Sequence, residues 1–548
     1  MDKADRVRAE EHPDTLSRRA FVGTALGTGA AVAAGALASR RPAGAQQPVR
    51  GGELRFGLRT EPDNLDPAVT PWAVSHRVMM HVYDTLVWQD PADNTFKPGL
   101  AESWQVAPDG LSYTFKLRRG VKFHDGTPFN AAGVKFSFDR IADPETKSGF
   151  AAALLGPYAG ADVVDEQTVR VRFKVASAGF LDGASQAFLG IVSPAAVKQQ
   201  GKDFGLKPVG TGPFVFKEWV RQDHITLERN PDYQWASPVF KHQGPAYLDR
   251  VVFKIIPEDA TRLATLENAE TNFIEMVPEQ DLARLRADTR FRLVVGSIPG
   301  LPIGVFLNAQ KEPTDSLEVR QAILQGLSRA DIIKTVYFGA YQPAHGPLSS
   351  NTLAYNKKVE SLNPFDRARA RELLERAGWK AGAGGIRQKD GKPLKLEFVS
   401  SEFFKGLVTV VQAQLRELGM QVEPKLLANP TRLATASKGE MNLANLGWVA
   451  SNPAVLGHFF HSKNIGAYNW PRVKDARVDE MLDRAEASVD VERRKQLYGE
   501  VQEFAMQQAL FFPIYEQLNF CAARAEVHDI RPDARGSYLW LYDTFVTK

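Results

Sequence analysis

The chain has 548 residues, of which 44% are hydrophobic and 24% charged, a composition typical of a globular protein with more than one domain. It contains 68 Lys and Arg against 64 Asp and Glu; seven of the basic and five of the acidic residues lie within residues 1–45, so the remainder has a net charge of +2. This balance argues against a nucleic-acid partner, which would require a basic surface. The single cysteine, Cys521, excludes an intramolecular disulfide framework and a cysteine-based metal centre.

Residues 1–45 have the features of an export signal. The sequence SRRAF at 17–21 resembles a twin-arginine motif, and a run rich in Ala and Gly follows it before a small-residue cleavage site at 43–45. Since Ala and Gly are only weakly apolar, a cleaved signal is favoured, and a retained membrane anchor is the alternative. No cysteine stands at the cleavage site, so no lipid anchor is expected. We predict a protein that is free in a periplasm and not membrane-anchored.

The most informative segment is residues 109–138, DGLSYTFKLRRGVKFHDGTPFNAAGVKFSF. Its two Asp-Gly pairs predict tight turns, residues 111–117 alternate as in a strand, and residues 121–123 predict a second, short strand. From Asn130, a favourable N-cap residue, the apolar positions follow a helical period. The segment therefore predicts a packed β-β-α corner.

Together with Ala101, Trp104 and Arg140, this segment resembles the signature of bacterial extracellular solute-binding protein family 5, the dipeptide-, oligopeptide- and nickel-binding receptors of ABC importers. The sequences VGTGPF at 209–214 and NPDY at 230–233 extend the resemblance. It implies an α/β, two-lobed periplasmic-binding-protein fold of class II, of the cluster C type with an extra subdomain, joined by two interlobe crossings.

The predicted elements change in character near residue 300. Before it, the predicted strands are 51–58, 168–173, 214–219, 224–229 and 273–277, and the predicted helices are 75–86 and 258–270. After it, the predicted strands are 301–308, 395–400, 420–425 and 511–520, and the predicted helices are 317–337, 366–377, 403–418, 475–488 and 491–508. Helices that alternate with strands indicate an α/β domain with helices on both faces of a sheet.

The pattern and the resemblance together divide the chain into six stretches. They are a twin-arginine-type signal peptide at 1–45, a first part of lobe I at 46–90, an extra subdomain of lobe I at 91–205, a second part of lobe I at 206–302, lobe II at 303–515 and a return to lobe I at 516–548. The strands at 301–308 and 511–520 are the expected crossings between the lobes.

Motifs for catalysis are missing from the sequence. It contains no G-x-S-x-G, H-E-x-x-H, Walker or C-x-x-C motif, so we predict no enzyme activity, no catalytic residue, no cofactor and no metal site. Glu61 and Asp66 keep a secreted, carboxylate-dependent hydrolase as an alternative, although their Pro-containing loop is better explained by structural turns. The H-x-x-H pair His458 and His461 keeps a metal-chelate ligand open, while ordinary packed or surface histidines are the more frequent explanation.

The main candidate for ligand contact is Trp448, which follows the apolar residues 443–446. In peptide-binding relatives, as the resemblance implies, an Asp-containing segment after this tryptophan holds the amino end of the peptide. Here Ser451 and Asn452 take that place. Because a charge-assisted hydrogen bond is about twice as strong as a neutral one, a free peptide α-amine is expected to be a poorer ligand.

Four further residues complete the predicted ligand site. Phe403 and Phe404 follow a strand at its carboxyl end, where α/β folds place ligands; packing at a helix N-terminus capped by Ser401 is the alternative. Leu65 lies in the loop that the resemblance directs toward the ligand cleft, and Thr211 lies in the VGTGPF element. Weaker candidates of the same type are His345, Tyr468, Asn469 and Trp470.

These observations predict the periplasmic substrate-binding component of an ABC importer. It would act as a monomer, capture a peptide-like, opine-like or related solute in the interlobe cleft without chemistry, and have the permease subunits as partners. A receptor that serves a chemoreceptor is the further alternative. The sequence does not identify the solute.

Overall fold

The computed structural model describes residues 46–547, and the predicted signal peptide lies outside the described residues. Three larger sheets organise the described chain, with seven, five and four strands. The mixture of strands and helices agrees with the predicted α/β class. None of the helices between residues 46 and 547 combines the length and the apolar character needed to cross a bilayer.

The seven-stranded sheet is built around the first strand, Glu53–Leu58. Its apolar residues Leu54, Phe56 and Leu58 are buried, and the strand runs parallel to Arg250–Ile255. The remaining neighbours pair antiparallel except Phe273–Ile274, which is parallel to the first strand. The strand order across the sheet is Phe291–Ser297, Leu518–Arg524, Phe273–Ile274, Glu53–Leu58, Arg250–Ile255, His224–Arg229 and Phe214–Val220.

The four-stranded sheet contains the β-β-α corner that the sequence predicts. Ser112–Leu117 and Thr168–Phe173 alternate buried and exposed residues, as expected for a sheet with one wet face. Asn130 caps the helix Ala131–Ala142, and its side chain accepts a hydrogen bond from the Gly133 amide at 3.2 Å. Residues 121–123 form only an isolated bridge rather than the predicted strand. The order is Ala101–Val106, Ser112–Leu117, Thr168–Phe173 and Tyr158–Asp165.

The five-stranded sheet is centred on Leu443–Val449 and Gly300–Leu307. All eight residues of Gly300–Leu307 are buried, as expected of a strand covered by helices on both faces. The order is Gln421–Leu426, Lys395–Ser400, Leu443–Val449, Gly300–Leu307 and Phe511–Tyr515. The helices of this part are Leu317–Gly326, Arg329–Tyr337, Arg367–Arg376, Lys405–Arg416, Asn429–Lys438, Val455–Phe460, Ala476–Ala487 and Val491–Gln507.

Two short segments carry the chain between the seven- and five-stranded sheets. Ile298 and Pro299 connect Ser297 to Gly300, and Glu516 and Gln517 connect Tyr515 to Leu518. The Ile298 amide donates a hydrogen bond to the Gln517 carbonyl at 2.9 Å, so the two segments run side by side. The single predicted strand 511–520 is therefore two strands that belong to different sheets.

The predicted helix 317–337 is also two elements. It breaks at Leu327, whose backbone is extended, and Ser328 begins a second helix by accepting a hydrogen bond from the Asp331 amide at 3.2 Å. The Ser328 amide in turn donates to the Gln414 side chain at 2.7 Å. The apolar period continues through the break, so the periodicity alone does not reveal it.

The remaining elements are short. The other helices are Ala73–Val82, Phe150–Leu155, Phe180–Ala184, Pro194–Gln200, Asp259–Glu267 and Leu282–Ala287. The other paired strands are Val87–Gln89 with Phe96–Pro98, Lys380–Ala381 with Arg387–Lys389 and Lys392–Pro393, Val527–His528 with Phe545–Val546, and Arg531–Pro532 with Leu539–Trp540.

Candidate ligand-binding site

Trp448 lies at the end of the central strand Leu443–Val449 and is partly buried. Its backbone pairs with Leu301 on the crossing strand. The indole packs edge-on against Tyr468, with ring centroids 5.1 Å apart, and against Phe459, at 6.0 Å. These aromatic contacts fix the position of the indole, while part of its surface stays accessible.

Ser451 follows this strand and connects two distant parts of the fold. Its side chain is buried, and its hydroxyl donates a hydrogen bond to Oδ1 of Asp182. Asp182 belongs to the short helix Phe180–Ala184, which packs on the four-stranded sheet through ring contacts such as Phe173 to Phe180 at 4.8 Å. The contact therefore joins the end of a strand of the five-stranded sheet to the opposite part of the molecule.

Asn452, the residue after Ser451, also comes close to the segment that contains Asp182. Its side-chain oxygen accepts from the Ala454 amide at 3.0 Å and from Nη2 of Arg494 at 3.1 Å. Across from it lies Gly179, where a Cβ atom would stand 2.8 Å from Nδ2 of Asn452. A side chain at position 179 would therefore require the Asn452 amide to move.

Arg535 completes the set from the C-terminal region. It is buried, and its Nη2 donates to the Asp182 carbonyl at 3.1 Å and to the Ser185 hydroxyl at 2.8 Å. The same nitrogen lies 3.6 Å from Oδ1 of Asp182, and Nη1 donates to Oδ2 of Asp533 at 3.3 Å. Burial raises the pKa of the Asp533 carboxyl, and the neighbouring guanidinium opposes that shift.

We call the five residues Gly179, Asp182, Ser451, Asn452 and Arg535 the junction. Sequence reasoning identified Ser451 and Asn452 but missed the other three. The junction offers hydroxyl, amide, carboxylate and guanidinium groups, all of which can form hydrogen bonds. The arrangement is suited to binding.

Two predicted ligand residues lie elsewhere, in the core. Leu65 has no exposed surface; its amide donates to the Gly205 carbonyl at 3.0 Å, and its carbonyl accepts from the Tyr83 hydroxyl at 3.0 Å. Thr211 is equally buried and donates to Oδ2 of Asp84 at 3.0 Å. Neither side chain presents surface to a solute.

Asp84 is the centre of that internal cluster. Besides Thr211, it accepts hydrogen bonds from the Tyr233 hydroxyl at 3.0 Å and from Nε1 of Trp235 at 2.8 Å. Burial raises the pKa of Asp84 to about 6, and the three donors partly offset this effect. The cluster ties the VGTGPF element to the segment that follows it, which gives Thr211 a structural role.

Phe403 and Phe404 lie together on the turn Glu402–Phe404 before the helix Lys405–Arg416, with ring centroids 4.9 Å apart. Phe404 packs against the core of the five-stranded sheet, whereas the side chain of Phe403 is 77% exposed. Ser401 makes no side-chain capping bond, in contrast to the alternative drawn from the sequence. The structure does not bring either ring to the junction.

Of the weaker candidates, some lie beside Trp448 and others do not. Tyr468 contacts Trp448, as described, and Trp470 is fully buried. Nδ1 and Nε2 of His461 lie 3.1 Å from Asp479 and Asp483, respectively. Across residues 46–547, no group of three or more His, Cys, Asp or Glu side chains is arranged to hold a metal ion.

Comparison with known proteins places the chain in a family. Residues 95–467 match the family described as bacterial extracellular solute-binding proteins, family 5 Middle. Heme-binding protein A of Haemophilus influenzae is 30% identical over 464 residues, which cover 80% of this chain and 82% of that protein. Di/tripeptide-binding protein 2 of Pseudomonas aeruginosa is 28% identical over 501 residues, or 86% and 90% of the two chains.

A solved structure supports the same assignment. NikA from Brucella suis in complex with Fe(III)-EDTA superposes with a TM-score of 0.79 at 25% identity, covering 90% of this chain and all of that one. The match confirms the predicted two-lobed α/β fold. The chain belongs to family 5 of the bacterial extracellular solute-binding proteins, the family that its sequence resembles.

Proposed function

We propose that the protein captures a small solute at the junction in its periplasm and delivers it, as a monomer, to the permease subunits of an ABC importer. In this proposal, lobe II spans residues 303–515, and lobe I comprises the rest of the described chain. The observation that carries the proposal is the hydrogen bond from Ser451 of lobe II to Asp182 of lobe I, because it places polar groups of both lobes at one point beside Trp448.

The two crossing segments would act as the hinge of this receptor. Closure about a few residues at element ends is the usual response of two-lobed binding proteins to their ligands. Gln517 supports this role, since its Nε2 donates to the Leu301 carbonyl at 2.8 Å and so links one crossing segment to the strand that follows the other. A solute that contacts both lobes would stabilise the closed state through its differential affinity.

The junction favours a solute without a free, uncompensated ammonium group. Ser451 is neutral, and the nearest carboxylate, Asp182, is already paired with Arg535. An ammonium placed there would lose its hydration and compete with the guanidinium for the same carboxylate. Peptide-like or opine-like conjugates whose amine is substituted fit better than simple peptides, and Trp448 would supply an apolar wall.

The proposal involves no bond making or breaking. Oε1 of Glu61 accepts from Nε1 of Trp219 at 2.9 Å and from the Gln222 amide at 3.1 Å, and Asp66 is held by Nη1 of Arg140 at 2.8 Å. Carboxylates engaged in this way hold loops in place rather than flank a scissile bond. This arrangement disfavours the hydrolase alternative.

Native mass spectrometry and calorimetry test the proposal. Protein from its own periplasm is expected to carry an intact small molecule at a 1:1 ratio, and purified protein is expected to bind at least one of mannopine, octopine, L-alanyl-L-serine, L-alanyl-L-alanine, hemin and Fe(III)-EDTA. Substoichiometric products of turnover, or the absence of both a bound molecule and a binding compound, would contradict it.

A further inference from the structure

A second contact between the lobes lies beside one of the crossing segments. The hydroxyl of Tyr341, in lobe II, donates a hydrogen bond to Oε1 of Glu279, in lobe I, at 2.7 Å. Burial and the neighbouring Glu279 carboxylate raise the pKa of the Tyr341 hydroxyl, so this group remains a hydrogen-bond donor well into the alkaline range. None of the residues of the candidate solute site takes part in this contact.

The backbone around Tyr341 is attached to lobe II. The residues that follow it run antiparallel to an edge strand of the five-stranded sheet: Pro343 pairs with Tyr515, and the Ala344 amide donates to the Ile514 carbonyl at 3.1 Å. Tyr341 therefore moves with lobe II when the lobes rotate.

Glu279 is attached to lobe I. It begins a short turn that follows the strand Phe273–Ile274 of the seven-stranded sheet. Between that strand and the turn, the Val277 amide donates to the carbonyl of Phe520, a residue of the neighbouring strand, at 2.8 Å. The carboxylate therefore stays with lobe I.

The ring of Tyr341 spans the crossing segment between Tyr515 and Leu518. It stacks on Tyr515, at the lobe II end, with centroids 4.2 Å apart, and packs against Phe520, on the lobe I side, at 5.4 Å. Rotation about that segment would carry these two neighbours in different directions. Because a hydrogen bond tolerates changes of only a few tenths of an ångström, the bond to Glu279 forms in a narrow range of lobe positions.

The position of the lobes that satisfies this bond is also the one that forms the junction, since the Tyr341–Glu279 bond and the contact of Ser451 with Asp182 are present together. We propose that Tyr341 and Glu279 form a latch, which holds the lobes in the closed position without touching the solute. The inference rests on the proposed function. It makes Tyr341 a positioning residue that affects how tightly a solute is held, whereas the junction and Trp448 decide which solute is held.

Disulfide trapping tests the latch without a solute. Gly179→Cys combined with Asn452→Cys places one thiol on each lobe. A Cβ atom at position 179 would stand 2.8 Å from Nδ2 of Asn452, so the two thiols reach each other only when the lobes are closed. Cys521 is buried and does not compete. In a glutathione redox buffer, adding Tyr341→Phe is expected to slow disulfide formation about tenfold, the effect of one hydrogen bond to a charged group.

Tyr158→Phe is the matched control. The Tyr158 hydroxyl donates to Oδ1 of Asp139 at the same distance, 2.7 Å, but both residues lie in lobe I. Each variant loses one bond from a tyrosine to a carboxylate, so a general loss of stability would slow trapping in both. We expect slower trapping with Tyr341→Phe alone. An equal effect of the two variants, or no effect of Tyr341→Phe, would overturn the inference.

Calorimetry gives the second measurement, with mannopine, octopine, L-alanyl-L-serine, L-alanyl-L-alanine, hemin and Fe(III)-EDTA. Each compound that binds wild-type protein is expected to bind Tyr341→Phe about tenfold more weakly and by the same factor, because the latch acts on closure and not on the solute. Unchanged affinities, or altered relative affinities that place Tyr341 in contact with the solute, would contradict the inference. If no compound binds wild-type protein, the proposed function fails, whereas the trapping experiment still decides whether the latch operates.

Discussion

Ser451 and Asp182 are 269 positions apart in the sequence, yet the hydroxyl of one donates a hydrogen bond to the carboxylate of the other. The family resemblance leads one to expect an acidic side chain in the position of Ser451. The structure instead has a neutral donor there and a carboxylate on the opposite lobe, paired with Arg535. The carboxylate of the junction thus comes from the other side and is already paired with a guanidinium.

The first prediction concerns Ser451→Ala. Removing the hydroxyl leaves Asp182 without its interlobe donor, and a hydrogen bond to a charged group contributes about 1.5–3 kcal/mol. We therefore expect solute affinity to fall at least about tenfold. Isothermal titration calorimetry measures this effect, and small-angle scattering is expected to report a smaller fraction of closed molecules at a fixed solute concentration.

The matched control for that variant is Ser462→Ala. Ser462 donates to Asp479 in the same way, but both residues lie in lobe II. This variant is expected to lower the unfolding free energy and leave solute affinity unchanged. Equal losses of affinity in the two variants would mean that Ser451 acts through the stability of lobe II and not through closure.

The second prediction concerns Trp448→Ala. The indole stands at the end of the central strand with part of its surface accessible, so its truncation is expected to weaken solute binding by more than ~1 kcal/mol, as is typical of an aromatic anchor. The solute-induced change in tryptophan fluorescence is expected to disappear with it. Trp104→Phe, in the four-stranded sheet, is expected to keep that change; an unaltered affinity of Trp448→Ala would remove this residue from the site.

Part of this architecture follows directly from the sequence. The corner at 109–138 is predictable because its strand alternates and its helix has an Asn cap, and both signals are local. The break at Ser328 is not, since it depends on the side chain of Gln414 from another helix. The division of residues 511–520 likewise depends on pairing with two different sheets.

The candidate site, too, is predictable only where its residues carry a local signal in the sequence. Ser451 and Asn452 were identified because the segment after Trp448 departs from the family pattern. Gly179, Asp182 and Arg535 carry no local signal, because their role arises only when three distant segments meet. Loop motifs place Leu65 and Thr211 in the predicted site, whereas their complete burial is a tertiary property that no motif specifies.

The third prediction concerns the pH dependence of stability. The pKa of Asp84 is about 6 in the folded protein, against an ordinary value of 3.8, because the carboxyl is buried. Between these values the folded state binds more protons than the unfolded state, so raising the pH favours unfolding. Asp84 is thus expected to reduce the unfolding free energy by ~2 kcal/mol from pH 4 to 6, with a small further decrease up to about pH 7 and none above it.

Urea unfolding of wild-type protein and of Asp84→Asn at several pH values isolates this effect. The variant is expected to be less stable than wild type at every pH, since a neutral amide cannot accept hydrogen bonds from all three donors. The difference in unfolding free energy, wild type minus variant, is expected to decrease from pH 4 to 6. A difference that is constant with pH would mean that Asp84 titrates at its ordinary value.

The last prediction concerns the approach of Gly179 to Asn452. The backbone of Gly179 has φ of −85°, which alanine adopts freely, so any effect of Gly179→Ala comes from the added methyl group. That methyl would stand 2.8 Å from the Asn452 amide and hold the lobes apart. We expect solute affinity to fall about fivefold, equivalent to ~1 kcal/mol, with little change in the melting temperature. Because Asn452→Ala removes the obstructing amide, the double variant is expected to match that single variant within about twofold. Additive losses in the cycle would show that the two residues do not meet when the solute is bound.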